Sequence, residues 1–413
     1  MAKKQGYTTS SVHTPFVKDD AYSALHMPIY DGVAYEFESS LEMEKVFTGQ
    51  KVAHVYSRTS NPTVGYFEEK LKRISGAKNA MSFSSGMAAI TTTLLSIVPP
   101  GGNIVSSNQL FGHTYAFLKS TIQRWNIQVK FVDMNNLAQV AAAIDKQTGL
   151  LFFETITNPQ LEIFDIEALA ALAHSNNIPL VADSTLTPPY VFNSLDAGVD
   201  VEVISTTKFI SGGAAAVGGA ILDNGSFDWS NSLALKEWDT NFPGNALMAR
   251  IRKEMFRHLG GSMTAHTAHF LILGLDTLAL RVDRCVENCM ALGKYFEQHT
   301  KVVAVNYPGL KSSVGYARSK KYFSGKPGAV MTIDLKTKES CYQFMDGLKM
   351  VRRATNLNDN KTLIIHPSST IYAEFSDTDR ENMALRDTML RLSVGIEDVQ
   401  DLIEDFKQAF YIV

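Results

Sequence analysis

Short apolar segments alternate with helical segments from about residue 61 to residue 222, and this alternation constrains the fold more than any other feature of the chain. Strands that alternate with helices of this length form a mainly parallel sheet with helices on both faces. The sequence predicts seven strands, at Ala80–Phe83, Asn103–Ser106, Val129–Asp133, Leu150–Glu154, Leu180–Asp183, Val201–Ser205 and Gly218–Leu222. The predicted helices of this region are Pro62–Ser75, Met87–Ile97, Tyr115–Trp125, Leu137–Ile144 and Ile166–Ser175.

The chain divides by pattern into three parts, as expected for 413 residues. Residues 1–60 are irregular apart from a predicted helix at Ser39–Phe47, so we expect an N-terminal arm that lies on another surface, such as a neighbouring subunit. Residues 61–259 carry the strand–helix alternation. Residues 260–413 begin with long helices over Thr264–His299, continue with mixed strands and helices, and are predicted to form a smaller α/β domain.

Composition argues for a small-molecule partner in a reducing compartment. The net charge of −3 and the pI of about 6.4 favour neither nucleic acid nor an anionic membrane surface. The three cysteines lack CxxC spacing, which argues against a disulfide framework and a metal site. The first residues lack the apolar core of a signal peptide, and no stretch reaches 18 apolar residues, so we expect a cytoplasmic protein.

Lys208 lies where a strand ends in hydroxyl residues and a glycine-rich turn begins. A desolvated lysine with a depressed pKa forms Schiff bases readily, so this segment is a candidate anchor for an aldehyde cofactor. Taken alone, such a segment is more often a surface lysine in a loop.

Two further segments strengthen the cofactor interpretation. Asp183 ends a buried-type strand and could pair with a protonated pyridine nitrogen, although such a residue also caps helices. Ser84-Ser85-Gly86 opens a helix whose first N–H groups suit a phosphate, although glycine turns are common. The three segments follow the order phosphate site, ring-nitrogen partner and Schiff-base lysine within one α/β domain, a combination that chance seldom produces.

Longer motifs extend this pattern from about Ala24 to the C-terminus. They are Tyr56-Ser-Arg58-x-x-Asn-Pro-Thr63, Ser85-Gly86-Met87-Ala, Glu154-Thr-x-x-Asn158-Pro, Asp183-Ser-Thr, Ser205-Thr-Thr207-Lys208, His366-Pro and Arg391-Leu-Ser-Val-Gly-Ile-Glu397-Asp. Together they resemble the trans-sulfuration (Cys/Met-metabolism) branch of fold-type-I pyridoxal 5′-phosphate (PLP) enzymes. This branch includes cystathionine synthases and lyases, methionine γ-lyase and O-acetylhomoserine sulfhydrylase. The resemblance implies that residues 61–259 form the PLP-binding domain.

The resemblance also implies roles in cofactor binding. Lys208 would carry PLP as a Schiff base, and Asp183 would hold the pyridine nitrogen. The remaining cofactor contacts would come from Gly86, Met87, Ser205 and Thr207 at the phosphate, Phe111 on the ring and Asn158 at its phenolic oxygen.

The same resemblance implies the substrate site and the assembly. Arg391 would clamp the substrate α-carboxylate through its planar guanidinium, with Asn356 and Tyr56 nearby. Tyr56 would also join Lys208 and Asp183 in catalysis. Tyr56 and Arg58 would reach the cofactor phosphate of a neighbouring subunit, so a homo-oligomer is expected, a tetramer built as a dimer of dimers.

Three positions depart from the family pattern. Phe111 stands where the family usually has a tyrosine, so proton transfer would fall to Lys208, with possible help from Tyr56. His113 stands where methionine γ-lyase has a cysteine, which argues against that activity. Ala214-Ala215-Ala216 replaces more polar residues and leaves the substrate contacts of that segment open.

The segment from Ala354 to Thr370 resembles sulfhydrylases more than cystathionine enzymes, which tend to have Ser-Leu-Gly at the Asn356 position. We therefore expect γ-replacement on O-acetyl-L-homoserine by sulfide or a small thiol, giving homocysteine and acetate in methionine biosynthesis. The alternative is a PLP-dependent γ- or β-lyase acting on methionine, cystathionine or cysteine. A non-catalytic relative is disfavoured by the intact Lys208, Asp183 and Arg391. A nucleotide-binding Rossmann protein is disfavoured because no GxGxxG follows the first strand.

Overall fold

The computed structural model describes residues 5–17 and 22–413, and two sheets organise it. The larger sheet has seven strands in the order β1-β7-β6-β5-β4-β2-β3. They are β1 (Asn79–Phe83), β2 (Asn103–Ser107), β3 (Gln128–Val132), β4 (Thr148–Glu154), β5 (Leu180–Asp183), β6 (Val201–Ile204) and β7 (Gly219–Asp223). All neighbours are parallel except β7, which is antiparallel to β1 and β6. The predicted large, mainly parallel sheet is confirmed.

The second sheet has five strands in the order β10-β11-β12-β9-β8 and is antiparallel except between β10 and β11. Its strands are β8 (Ala304–Asn306), β9 (Val330–Asp334), β10 (Arg352–Arg353), β11 (Leu363–Ile365) and β12 (Met389–Ser393). This sheet is the core of the smaller α/β part predicted at the C-terminal end of the chain.

The helices follow the strands in the alternation that the sequence predicts. They are α1 (Tyr7–Val12), α2 (Ser40–Phe47), α3 (Pro62–Ser75), α4 (Gly86–Ile97), α5 (Gly112–Ala116), α6 (Leu137–Ala143), α7 (Ile166–Ser175), α8 (Lys236–Asn241), α9 (Ala246–Arg250), α10 (Phe256–Leu259), α11 (Ala265–Asp276), α12 (Leu278–Glu297), α13 (Tyr316–Phe323), α14 (Lys338–Gly347), α15 (Asp377–Asn382) and α16 (Val399–Phe410). Short 3₁₀ turns lie at Ile122–Trp125, Phe209–Ser211, Trp229–Asn231 and Pro367–Ser369, and π-helical turns at Phe117–Thr121 and Ile251–Met255.

Local capping explains where the helices nearest the site begin. Asn61 accepts hydrogen bonds from two N–H groups in the first turn of α3, where Pro62 occupies the first position. The helix ends at Gly76, which has a φ of +77°. Ser85 accepts from the N–H of Ala88 at 3.1 Å and so starts α4 immediately after β1.

The large sheet is covered on both faces because its strands are apolar on both sides. In β4, Leu151 and Phe153 belong to one apolar cluster, whereas Leu150 and Phe152 belong to another on the opposite face. The strand is fully buried along its length. Its C-terminal residue, Glu154, is therefore a carboxylate held at the end of an apolar strand.

The N-terminal segment contacts the rest of its own chain through α1, which packs on α3 and α11. Ser11 donates a hydrogen bond to the carbonyl of Leu275 at 3.2 Å. Helix α2 has no buried residue. Residues 1–4 and 18–21 of the predicted arm lie outside the described residues. In the described part of the chain, no helix is long and apolar enough to cross a membrane.

One predicted helix is divided in the structure, whereas the long helices predicted over Thr264–His299 are present as two. The segment predicted as a helix at Tyr115–Trp125 consists of the end of α5, a π-helical turn and a 3₁₀ turn. Tyr115 and Lys119 both bond to Asp379, a tertiary contact that hydrophobic periodicity does not reveal. The stretch Thr264–His299 contains α11 and α12, which separate at Thr277.

The turn after Lys208 is held by close backbone packing against α11. A Cβ atom on Gly274 would clash with the carbonyl oxygen of Ile210 and lie 2.8 Å from the amide nitrogen of Gly212. Arg281 donates to the carbonyls of Phe209 (2.7 Å) and Gly274 (2.6 Å) and so ties α12 to the same turn. Glycine at position 274 therefore determines how closely α11 approaches this turn.

We predict that Gly274→Ala destabilises the protein by about 1–3 kcal/mol because backbone atoms must move to admit the methyl group. Gly65→Ala is the matched control: it lies in α3 with no atom within 4 Å of the added Cβ, and helix propensity favours alanine there by about 0.5–1 kcal/mol. Apparent melting temperatures measured side by side should fall for the first variant and rise or stay unchanged for the second. Equal melting temperatures would contradict this account of the turn.

Candidate active site

A cavity of about 670 Å³ lies between the carboxyl ends of the large sheet's strands and the loops of the smaller sheet. Ligands collect at this edge of open α/β sheets. The lining residues come from both halves of the chain and are Ser85, Gly86, Met87, Ile90, Phe111, His113, Glu154, Ile156, Asn158, Asp183, Thr185, Leu186, Ser205, Thr207, Lys208, Thr355, Asn356, Leu357, Thr370, Ile371 and Arg391.

The N-terminus of α4 lies at the β1 end of this cavity and offers N–H donors suited to an anion. Gly86 and Met87 are the first two residues of α4, so their N–H groups have no acceptor within the helix. A Cβ on Gly86 would lie 2.7 Å from the Cβ of Ser205, so glycine is needed for the two loops to meet. Thr207 also lines the cavity and bonds to Gly218. The four residues predicted for the phosphate are thus brought together.

Lys208 follows β6 and points into the same cavity. Its Nζ donates to Asn356 Oδ1 at 2.7 Å. Burial, reinforced by the positive charge of Arg391, lowers the pKa of Lys208 to about 8. A lysine with this pKa is partly neutral at physiological pH and can act as a nucleophile or a base.

Two carboxylates end neighbouring strands beside Lys208. Glu154 of β4 is in register with Asp183 of β5. Asp183 Oδ1 accepts from the N–H of Thr185 at 2.9 Å, and burial raises the pKa of its carboxyl group. Burial, and then the charge of Asp183, raises the pKa of Glu154 well above its usual range. A cationic ring nitrogen next to Asp183 would relieve the cost of holding negative charge here.

Glu154 has a positioning role that the sequence prediction did not assign. It accepts hydrogen bonds from the backbone N–H groups of Phe111 and of Asn158, the latter at 3.1 Å. It therefore fixes the two segments predicted to contact the cofactor ring. The sequence feature that could have indicated this role is the position of Glu154 at the end of β4, beside the strand that ends in Asp183.

Arg391 is a buried cation whose hydrogen bonds are incomplete. It is 2% exposed. It donates to Asn158 Oδ1 (3.0 Å) and to the carbonyls of Thr355 (3.1 Å) and Asn356 (3.2 Å), and its Nε has no partner among the described residues. No ion pair in the described part of the chain includes Arg391. A buried guanidinium without a carboxylate is a ready site for an anionic ligand.

Tyr56 and Arg58 do not join this cavity within one chain. Tyr56 is 42% exposed. Arg58 lies over its ring, 5.5 Å from the centroid, and donates to the carbonyl of Arg257 at 2.8 Å. Their contact with a neighbouring subunit's site therefore stays a prediction.

Phe111 and His113 both line the cavity, and the predicted contact of Phe111 with the cofactor ring stays a prediction. The two ring centroids are 5.1 Å apart at an edge-to-face angle. The sequence prediction used His113 only as evidence against one activity, yet the structure places it in the cavity wall. The cavity therefore holds a lysine of lowered pKa, the first N–H groups of α4, an aromatic residue, two buried acids, a buried guanidinium without an acidic partner among the described residues, and an imidazole.

Comparisons with known proteins agree with this geometry. A sulfhydrylase of Fusarium oxysporum f. sp. lycopersici is 36% identical over 98% of this chain and 97% of its own length. A crystal structure from Campylobacter jejuni that holds N′-pyridoxyl-lysine-5′-monophosphate is 30% identical, with a TM-score of 0.94 over 98% of this chain and 100% of the other. The O-acetylhomoserine sulfhydrylase of Wolinella succinogenes is 41% identical, with a TM-score of 0.77 over 86% and 98% of the respective chains.

The family model for Cys/Met metabolism PLP-dependent enzymes matches residues 8–411, nearly the whole chain. The chain therefore belongs to the Cys/Met-metabolism family of PLP-dependent enzymes.

Proposed function

We propose that this enzyme is an O-acetylhomoserine sulfhydrylase. It replaces the acetyl group of O-acetyl-L-homoserine with sulfide or a small thiol, giving homocysteine and acetate in methionine biosynthesis. The names of its relatives support the substrate, since the Wolinella succinogenes protein is an O-acetylhomoserine sulfhydrylase of a methionine biosynthetic pathway.

The observation that carries the proposal is the pairing of Arg391 with Lys208 in one cavity. Arg391 offers a buried positive charge with an open Nε and no acidic partner in the described residues. Lys208 offers an amine whose pKa is lowered to about 8. An α-amino acid held by its carboxylate at Arg391 would bring its amine and α-carbon towards Lys208.

The cofactor would be held by residues that already fit it. Lys208 would bind its aldehyde, Asp183 its pyridine nitrogen, Asn158 its phenolic oxygen and Phe111 its ring face. The phosphate would be held by the N–H groups and hydroxyls of Gly86, Met87, Ser205 and Thr207. When bound, PLP supplies an electron sink for the electron pair of a broken Cα–H bond.

The side chains would then move protons around a fixed substrate. The freed amine of Lys208 removes the α-proton and next transfers a proton at the β-carbon. Acetate leaves from the γ-carbon with the electron pair of the C–O bond, and the sulfur atom bonds to that carbon. Arg391 holds the carboxylate throughout, and Asn356, bonded to the Nζ of Lys208 at 2.7 Å, orients the amine.

We further propose the assembly, the domain limits and the compartment. Residues 1–60 form an arm on a neighbouring subunit, residues 61–259 the PLP-binding domain and residues 260–413 the C-terminal domain. Tyr56 and Arg58 contribute to the neighbouring site, and Tyr56 assists Lys208 there, in a homotetramer built as a dimer of dimers. The exposed side chain of Tyr56 and the exposed surface of α2 support this arrangement. The enzyme acts in the cytoplasm.

The first test is a product assay on the PLP-loaded enzyme. With O-acetyl-L-homoserine as substrate, we expect homocysteine only when sulfide is added, with little α-ketobutyrate. Lys208→Ala should abolish turnover because no other amine replaces its Nζ. Lys311→Ala is the control, since Lys311 is exposed and outside the cavity.

The same assay separates the proposal from its alternative. α-Ketobutyrate formed whether or not sulfide is present would contradict γ-replacement and favour a γ- or β-lyase of methionine, cystathionine or cysteine. A Lys208→Ala enzyme with full turnover would contradict the assignment of the catalytic lysine.

A second prediction concerns substrate binding. Arg391→Lys should raise the KM for the amino acid about 10- to 150-fold, since one charge-assisted hydrogen bond is worth about 1.5–3 kcal/mol. Arg386→Lys is the matched control, because Arg386 pairs with Asp334 outside the cavity. Steady-state kinetics would refute the α-carboxylate assignment if both variants kept the parent KM.

A third prediction concerns the ionisation of Lys208 in the cofactor-free protein. Its pKa of about 8 leaves it half neutral near that pH, whereas an ordinary lysine titrates near pH 10.4. Reductive methylation, quantified by peptide mass spectrometry, should level off for Lys208 above about pH 8 and keep rising for exposed lysines. A labelling rate at Lys208 that rises in parallel with the exposed lysines would contradict the lowered pKa.

A further inference from the structure

His113 is a cavity residue to which the proposed reaction assigns no role. It lies in the first turn of α5, lines the cavity with Lys208 and is exposed. Its ring packs edge-to-face on Phe111, with centroids 5.1 Å apart. Among the described residues, its ring nitrogens have no hydrogen-bond or ion-pair partner. Its ring nitrogens are therefore free to meet a ligand in the cavity.

The other ionisable groups of the cavity are already committed. Lys208 serves the α- and β-carbons, and Arg391 carries a permanent charge for the carboxylate. Glu154 is bonded to the backbone of Phe111 and Asn158, and Asp183 to Thr185. Phe111 cannot exchange a proton. Among the described residues that line the cavity within one chain, His113 is therefore the acid–base group without another role, and the proposed help of a neighbouring Tyr56 goes to Lys208.

We propose that His113 is the base for the incoming sulfur nucleophile. This inference rests on the proposed sulfhydrylase function. As the S–Cγ bond forms, the S–H bond of the thiol breaks, its electron pair supplies the new bond, and its proton goes to the imidazole. The imidazolium then passes the proton to water, so that each turnover releases one acetate and one proton.

The charges around His113 come from several elements. The cavity contributes the cations Lys208 and Arg391 and the acids Glu154 and Asp183. Beyond α5, Lys119 is bonded to both oxygens of Asp379. The segment that contacts Gly112 runs from Ile371 to Phe375 and carries Glu374.

The test compares two nucleophiles on the PLP-loaded His113→Asn enzyme. Hydrosulfide is already ionised at neutral pH, whereas an alkyl thiol must lose a proton to react. We expect kcat/KM for methanethiol to fall about 10²-fold, within the usual range for general-base catalysis, and kcat/KM for sulfide to fall much less. The ratio of kcat/KM for methanethiol to kcat/KM for sulfide should therefore fall in His113→Asn relative to the parent enzyme.

Two controls exclude a merely structural effect. His13→Asn changes an exposed histidine outside the cavity and should leave both nucleophiles unaffected. Exchange of the substrate α-proton with deuterated water, followed by NMR, depends on Lys208 and should be unchanged in His113→Asn. In the parent holoenzyme, bound L-methionine should also slow the reaction of His113 with diethyl pyrocarbonate, measured by mass spectrometry without turnover.

The outcomes separate this inference from the proposed function. If the parent enzyme forms homocysteine and His113→Asn matches it with both nucleophiles at every pH, the inference is overturned. Equal losses for both nucleophiles and for α-proton exchange would also overturn it, because they indicate a displaced active site. A parent enzyme that makes no homocysteine would instead refute the sulfhydrylase proposal.

Discussion

The two halves of the chain are joined at Asn158, and the active site depends on that junction. Arg391, from the small sheet, donates to Asn158 Oδ1 at 3.0 Å. Tyr372 donates to its carbonyl at 2.7 Å and to that of Leu110 at 3.2 Å. Arg391, Tyr372, Leu110 and Asn158 are all buried, and the backbone N–H of Asn158 donates to Glu154 at 3.1 Å. A displacement here would move Arg391 and Asn158 together, and with them the contacts predicted for the substrate carboxylate and the cofactor ring.

The same junction explains why a buried acid can be tolerated at the end of an apolar strand. Desolvation penalises the charge of Glu154, and its neighbour Asp183 adds repulsion, so the pKa is raised. Two backbone N–H donors, from Phe111 and Asn158, partly offset that cost. The acid thereby orders two loops that would otherwise carry unsatisfied amides inside the protein. Glu154 therefore positions Phe111 and Asn158, and this role requires no contact with the substrate.

The sequence was sufficient to predict the sheet, most of the strand ends and the set of residues around Lys208. The apolar pattern of a strand is a local property of the sequence, so strands can be predicted from one chain. The motifs lie at the ends of these strands, so their chemically distinctive residues can be located in the same way. The roles of Glu154 and His113 could not be read in this way. They depend on contacts such as that of Phe111 with Glu154, which are 43 residues apart. The contact of Arg391 with Asn158 spans 233 residues. The predicted contact of Tyr56 and Arg58 with a neighbouring site would need a second chain, which one sequence does not position.

The cavity contains two basic side chains, Lys208 and Arg391, which differ in how firmly they hold their proton. This difference explains why one of them is an arginine. Lys208 must lose its proton to act, and burial together with the charge of Arg391 lowers its pKa to about 8. Arg391 is even more deeply buried, and the same desolvation lowers its pKa only to about 10, so it stays charged. A lysine starts about two pKa units lower than arginine, so comparable burial would bring its pKa close to neutrality. The intrinsic basicity of guanidinium therefore lets Arg391 stay charged in the cavity in which the amine of Lys208 becomes partly neutral.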